Sequence, residues 1–294
     1  MLLWKGYGLA DREKGLPNNP RTRFRLGSLT KPFTAMTILI LQNQGRLTVQ
    51  DPICKYFPEC PTAWQEITIH HLLTHTSGII DFTSLAGFHE TKADPATPMQ
   101  MIARFKDLQL DFQPGETWSY SNSGYILLGY IIEQVSGQAY EAFLQKNIFE
   151  PLKMRNTGYD HEDGSLAVGY TIDWRKSDDI DMTIPFAAGG LYSSVDDLYL
   201  WDQALYTETM IPQSLLDLLF IPYISYPGSE TSYGYGWFVE PIDHRQAILH
   251  GGAIEGFSAF LLRYPHEKVA IIVLSNQETA NTQELARNIS STLF

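Results

Sequence analysis

The sequence predicts an α+β protein of the broad α/β class, an antiparallel sheet flanked by helices with a mostly helical lobe inserted into it. Three observations predict this. Late in the chain, Tyr235–Glu240, Phe257–Tyr264 and Val269-Ala-Ile-Ile-Val-Leu274 read as strands rich in aromatic and β-branched residues. Around them stand helical stretches at Thr34–Gly45, Ser194–Tyr206, Pro212–Phe220 and Thr279–Leu293. Between Asp51 and about Phe186 the pattern breaks into short helical pieces separated by Pro, Gly and Thr-Ser-Gly punctuation. Residues 1–50 and 187–294 are therefore expected to form the sheet-containing domain, and residues 51–186 an inserted, mostly helical domain.

Taken in order, residues 1–10 mix apolar and aromatic side chains with Gly6 and Gly8 and read as a strand leading into the polar turn at Asp11–Pro20. The run Thr34-Ala-Met-Thr-Ile-Leu-Ile-Leu-Gln-Asn-Gln-Gly45 is apolar on nearly every side and ends at glycine, so it reads as a helix crossing the core. A further helical run covers Tyr125 to Val135. After Ala187-Ala-Gly-Gly190, the cap-like Ser194-Val-Asp-Asp begins the next helix. The expected sheet is assembled from segments at both ends of the chain.

With 294 residues, 44% of them hydrophobic, the chain can bury a substantial core. Its net charge of -12 argues against nucleic acid or an anionic membrane as partner, because both attract basic patches. No stretch approaches the ~18 apolar residues that cross a bilayer. The first residues lack the basic start, apolar core and cleavage site of an export signal. The expectation is a soluble protein acting on small molecules, with its compartment left open. The two cysteines, Cys54 and Cys60, are close enough to close one small loop, and the sequence leaves open whether they pair.

Three constellations can carry chemistry. Ser28 stands at the entrance of the buried helix with Lys31 one turn on, which places both side chains on one face. A serine hydroxyl needs a nearby base at neutral pH, and a desolvated lysine can act as that base or tune a neighbour. Tyr120-Ser-Asn122 follows Pro114-Gly-Glu-Thr-Trp118. A tyrosine beside the Lys31 ammonium would lose its proton more readily and could take that of Ser28, while Asn122 offers a donor and an acceptor. His250-Gly-Gly-Ala253 lets substrate approach the backbone, where an N–H could join that of Ser28 in an oxyanion hole, a donor contributing about 3 kcal/mol. Singly, each motif also reads as a helix cap, an aromatic turn or a plain turn between strands.

In this order the motifs resemble the serine beta-lactamase and penicillin-binding protein superfamily, whose pattern is Ser-x-x-Lys, then Ser-x-Asn or Tyr-x-Asn, then Lys-Thr-Gly or a variant. The Tyr-x-Asn form is similar to the class C branch, which includes family VIII-type esterases and D-alanyl-D-alanine peptidases. The likeness extends through Arg23-Phe-Arg-Leu-Gly-Ser28, Leu72-Leu-Thr-His-Thr-Ser-Gly78, Pro114-Gly115, Tyr120-Ser-Asn-Ser-Gly-Tyr125, Pro151-Leu-Lys-Met154 and Gly189-Gly-Leu-Tyr192. The resemblance implies a beta-lactamase/transpeptidase-like fold and no cofactor or metal. It implies that Ser28 is acylated, that Lys31 and Tyr120 share acid and base work, and that Asn122, His250, Gly251 and Gly252 bind substrate. Ser28 and Ala253 would supply the oxyanion-hole N–H groups.

The sequence departs from that pattern twice. His250 stands where many beta-lactamases have lysine, and a mostly neutral imidazole holds a substrate carboxylate less firmly, which shifts the expected acyl donor toward small esters or D-amino-acid peptides and away from beta-lactams. The helix and first strand that the family places before the segment resembling Trp4-Lys-Gly-Tyr-Gly8 are missing, which is expected to expose apolar surface and favour a homo-oligomer. Two rival readings fit the sequence less well. His70, His71 and His75 could form a metal site, although no Glu stands beside them as in zinc proteases, and Gly-x-Ser-x-Gly of the α/β-hydrolases does not occur. The remaining alternative is a non-catalytic penicillin- or peptide-binding module on the same fold.

Overall fold

The computed structural model describes residues 2–161, 164–226 and 228–294. Its strands are β1 (Leu9–Asp11), β2 (Leu16–Pro17), β3 (Phe24–Arg25), β4 (Gly158–Tyr159), β5 (Leu191–Ser193), β6 (Ile224–Ser225), β7 (Ser232–Tyr233), β8 (Phe238–Ile242), β9 (Arg245–Ile254), β10 (Phe257–Tyr264) and β11 (Val269–Ser275). The main sheet runs β11-β10-β9-β8-β7-β6, with every neighbouring pair antiparallel. Mixed helices and antiparallel sheets are the class that the sequence predicts.

Strand β10 is buried along its whole length, and its two-residue alternation divides the molecule. Ala259 and Leu261 face the principal core, which holds Phe33, Leu39, Tyr125 and Trp201, while Phe260, Leu262 and Tyr264 face a second cluster closed by Ala286 and Ile289 of the C-terminal helix Thr282–Leu293. On the principal-core side, Arg263 reaches the helix Val195–Ala204 and bonds Asp202 at 2.9 Å, both side chains being fully buried.

The segment around Ser28 is built by local rules. Gly27–Thr30 makes a 3₁₀ turn that runs directly into the helix Lys31–Asn43, with Pro32 in its first turn, where a missing N–H costs nothing. That helix is buried from Lys31 to Leu41, as its all-round apolar sequence requires. It packs against Asn122–Ser136, which ends at Gly137 in the left-handed conformation. Cys54 and Cys60 are joined in a disulfide whose loop carries Phe57 into the core beside Trp64.

Two sequence expectations are corrected here. Of the segment 1–10, the described residues add no strand to the main sheet: among them only the run beginning at Leu9 is a strand, Leu9–Asp11, which pairs with β2 in a separate two-stranded sheet, because Gly8 turns the chain at φ 63°. The main sheet therefore comes entirely from residues 224–275. Tyr235 also lies outside any strand, since Gly236 at φ 76° bends the chain before β8 begins at Phe238. The segment through His250-Gly-Gly, for which a plain turn between strands was the alternative reading, lies inside β9, the longest strand.

Candidate active site

Ser28 is half-buried at the point where two cavities meet. One, of about 520 Å³, is walled in part by Phe82, Lys92, Asn122, Ile184 and Glu255. The other, of about 850 Å³, is walled in part by Tyr120, Tyr226, Phe238 and His250. Ser28 and Ala253 are the two wall residues that both cavities share.

This junction depends on two glycines. A Cβ at Gly252 would lie 1.9 Å from the Leu26 carbonyl oxygen and 3.0 Å from the Ser28 nitrogen, so only glycine lets β9 lie against the Ser28 turn. From the other side, Gly27 adopts φ 51° and a Cβ there would sit 2.7 Å from the Ala253 oxygen. Gly251 faces the Phe260 ring.

Lys31 is fully buried, and its ammonium is held at three corners. Nζ lies 3.2 Å from Ser28 Oγ, 2.8 Å from Asn122 Oδ1 and 2.9 Å from the Ala188 carbonyl oxygen. The rings of Tyr120 and Tyr125 lie 4.8 and 5.2 Å from it, measured to their centroids. Burial lowers its pKa to about 7 against the opposing attraction of Asp81. Asp81 also fixes Asn122, accepting from its backbone N–H and from its side-chain amide, both at 3.2 Å, which turns the amide oxygen toward Lys31.

Tyr120 is half-buried, and its phenol hydrogen-bonds Ser28. Burial raises its pKa above the ordinary tyrosine value, and the Ser28 bond only partly offsets that. The expectation that Lys31 would ease proton loss from Tyr120 is therefore corrected: the group poised near neutrality is Lys31, and Tyr120 stays a phenol.

His250 is almost wholly buried. Its Nδ1 lies 2.6 Å from the Gly251 carbonyl and so must donate, which leaves Nε2 to accept from the Tyr233 hydroxyl at 3.1 Å. Burial, with Lys31 nearby, lowers its pKa to about 3. It is thus a neutral wall residue with both nitrogens occupied, and not a cation offered to a carboxylate.

The other histidines diverge. His70 meets the Tyr235 hydroxyl at 2.8 Å, and His71 Nδ1 accepts the Thr68 N–H in a capping box. His75 turns inward beneath Tyr120. Among the described residues no group of three His, Cys, Asp or Glu could hold a metal ion, and no helix is long and apolar enough to cross a membrane.

The structure brings Ser28, Lys31, Tyr120, Asn122 and Ala253 to one place from three distant segments. The sequence reading missed Asp81, which follows the Thr-Ser-Gly78 signal by three residues, and the contribution of the Ala188 carbonyl, which no side-chain pattern announces.

This is the fold of the beta-lactamase-type serine hydrolases. The chain belongs to the Beta-lactamase family, whose model matches residues 2–293. It is 32% identical over 311 residues to penicillin-binding protein 4* of Bacillus subtilis (strain 168), an alignment covering 97% of this chain and 68% of that one. It spans about two thirds of the length of the first curated relatives it matches, 66% and 68%. Among solved structures it is similar to the octameric penicillin-binding protein homologue from Pyrococcus abyssi, with TM-score 0.87, 30% identity, and 99% and 70% of the two chains covered. It is also similar to a D-stereospecific amidohydrolase from Streptomyces, with TM-score 0.80, 28% identity, and 90% and 85% covered.

Proposed function

We propose that this protein is an acyl-transferring serine hydrolase that forms an acyl-enzyme at Ser28 and acts on small esters or D-amino-acid peptides and amides, with beta-lactams as weaker substrates. The observation that carries this reading is the placement of a fully buried lysine, poised near neutrality, 3.2 Å from a hydroxyl at the junction of two cavities.

In this reading Lys31, as the free amine, takes the Ser28 proton while Oγ attacks the substrate carbonyl carbon. The carbonyl oxygen becomes an oxyanion held by the N–H groups of Ser28 and Ala253. Collapse breaks the bond to the leaving alkoxide or amine, which takes a proton from Tyr120, and Lys31 restores the phenol. Water then hydrolyses the ester at Ser28 by the reverse path. Asn122 orients Lys31 and faces the acyl side, while Gly251, Gly252 and the flank of His250 line the other side.

Charge supports the order of substrates. Lys92 is the cationic side chain on the first cavity wall, and it is already paired with Glu255 at 2.8 Å and lies 3.7 Å from Asp178. The second cavity has no Lys or Arg on its wall, and His250 is neutral. A substrate carboxylate therefore finds no unpaired Lys or Arg on either cavity wall, whereas neutral amides and esters need none. The amidohydrolase likeness points the same way.

A panel of p-nitrophenyl esters, D-alanyl amides and peptides, and nitrocefin, against the wild type and Ser28→Ala, tests the reading. Turnover lost in Ser28→Ala, with an acyl adduct on Ser28 by mass spectrometry, is expected. Equal rates for both proteins on every substrate would sink it. Absence of turnover together with saturable penicillin binding would favour the binding-module alternative. We propose in addition that copies associate through the exposed Leu2, Leu3, Trp4 and Tyr7, which form an unusually apolar stretch.

A further inference from the structure

We infer that His75 is a positioning residue for the acylation step, holding Tyr120 over Ser28 through backbone bonds on either side of it; this rests on the acyl-serine reading above. Nδ1 of His75 accepts the Ser121 N–H at 3.1 Å, and the His75 carbonyl accepts the Ser119 N–H at 3.0 Å. Residue 120 is thus clamped at its two neighbours. The imidazole also lies against the Tyr120 ring, with centroids 4.3 Å apart and planes inclined by 34°.

The arrangement is costly in two ways that packing alone does not explain. His75 adopts φ 59°, a left-handed conformation uncommon outside glycine. Because Nδ1 accepts, the ring proton sits on Nε2, and that buried atom has no hydrogen-bond partner. It is enclosed instead by the rings of Tyr125, Tyr233 and Trp118, at centroid distances of 5.2, 4.8 and 6.1 Å from the imidazole. An aliphatic residue would fill this space without the orphaned N–H. What it would lack is the acceptor for Ser121.

The imidazole is kept uncharged by burial and by the nearby Lys31 and His250, so Nδ1 keeps its lone pair throughout the working pH range. The consequence reaches Lys31, because the Tyr120 ring forms one side of its enclosure. The remaining groups facing Lys31 are Ser28, Asn122, Asp81, Tyr125, the Ala188 carbonyl and His250. Release of Tyr120 would admit water to Lys31 and raise its pKa.

The test compares His75→Ala, which removes the ring and the acceptor, with His75→Asn, whose Oδ1 stands near the position of Nδ1 and which tolerates the left-handed backbone. Acylation by a p-nitrophenyl ester is followed by burst kinetics, with rates normalised to the burst amplitude. His75→Ala is expected to slow acylation by about 100-fold with KM nearly unchanged, as misplacement of a reacting group does. Its acylation pH profile moves to higher pH, and His75→Asn stays within about fivefold of wild type on the original profile. A merely structural role would lower the burst amplitude and leave the profile in place.

An unchanged normalised rate in His75→Ala overturns the inference, as does a folded His75→Asn that is equally impaired. Should His75→Ala not fold, His75→Asn decides alone on the same limits. Acylation of wild-type Ser28 is the control: without it the acyl-serine reading fails, and with it only the role of His75 is at stake.

Discussion

At the scale of single residues, the site is governed by what burial does to Lys31. An amine with a pKa of about 7 is half free at neutrality, so acylation is expected to rise with pH through about 7 and level off above it. The sign follows from the role: a base works when unprotonated, and Tyr120, pushed above its ordinary value, adds no second limb in that range. The pH dependence of kcat/KM checks this, and a profile flat from pH 5 to 9 would refute the assignment of Lys31. Gly252 gives a second prediction. Gly252→Ala places a methyl 1.9 Å from the Leu26 oxygen, so it must push β9 from the Ser28 turn. Acylation is expected to fall by about 100-fold while the fold, read by circular dichroism, is kept. The grouping of Ser28, Lys31, Tyr120 and Asn122 was legible because their types and order match the pattern of the family. Asp81, His75 and Ala188 were not, because a hydrogen bond to a backbone atom leaves little trace in residue type.

Among the secondary-structure elements, helices were more readily read than strands. The buried helix Lys31–Asn43 is announced by its long all-round apolar run with Pro32 in the first turn, and the C-terminal helix Thr282–Leu293 by its Asn281 cap and its periodicity. Strand β9 carries the contrary signal, since Gly251 and Gly252 disfavour a strand and are tolerated only because β8, β10 and the Ser28 turn enclose it. The N-terminal segment failed in the opposite direction: its apolar residues suggest a strand, yet residues 2–8 lie outside every strand, and Asn18 meets only their end, at the Tyr7 and Gly8 carbonyls. The disulfide is an element-scale staple. Closing a loop of six residues' separation is worth about 2 kcal/mol, so Cys54→Ala with Cys60→Ala is expected to lower the urea midpoint while leaving Ser28 acylation intact. Loss of acylation in the folded double variant would show that the loop reaches the site.

For the whole molecule, the Arg263–Asp202 pair ties the sheet to the helix Val195–Ala204 within the interior. Removing one partner leaves the other as an uncompensated buried charge, so Arg263→Met is expected to destabilise by about 3–5 kcal/mol, and Asp202→Leu added to it should recover most of that loss. Chemical denaturation of the two variants checks this, and a single variant as stable as wild type would mean that Asp202 takes up a proton without penalty. Association through the N-terminal apolar residues is a property of the same scale. Light scattering is expected to show an oligomer that dissociates in Leu2→Ser with Trp4→Ser, and a monodisperse wild-type monomer would end that proposal.

The meeting of β9 with the Ser28 turn also fixes when in folding the site can exist. Lys31 is bonded to Asn122 and Ala188, 91 and 157 residues away, and the turn is closed by Gly252, farther still along the chain. No local stretch holds even a partial version of this chemistry. Contacts of such sequence separation form late, after much of the helix content has appeared. Reactivity of Ser28 is therefore a reporter of complete chain closure: during refolding, labelling should lag the recovery of far-ultraviolet ellipticity, and a chain still lacking its final strands would carry the nucleophile without its chemistry.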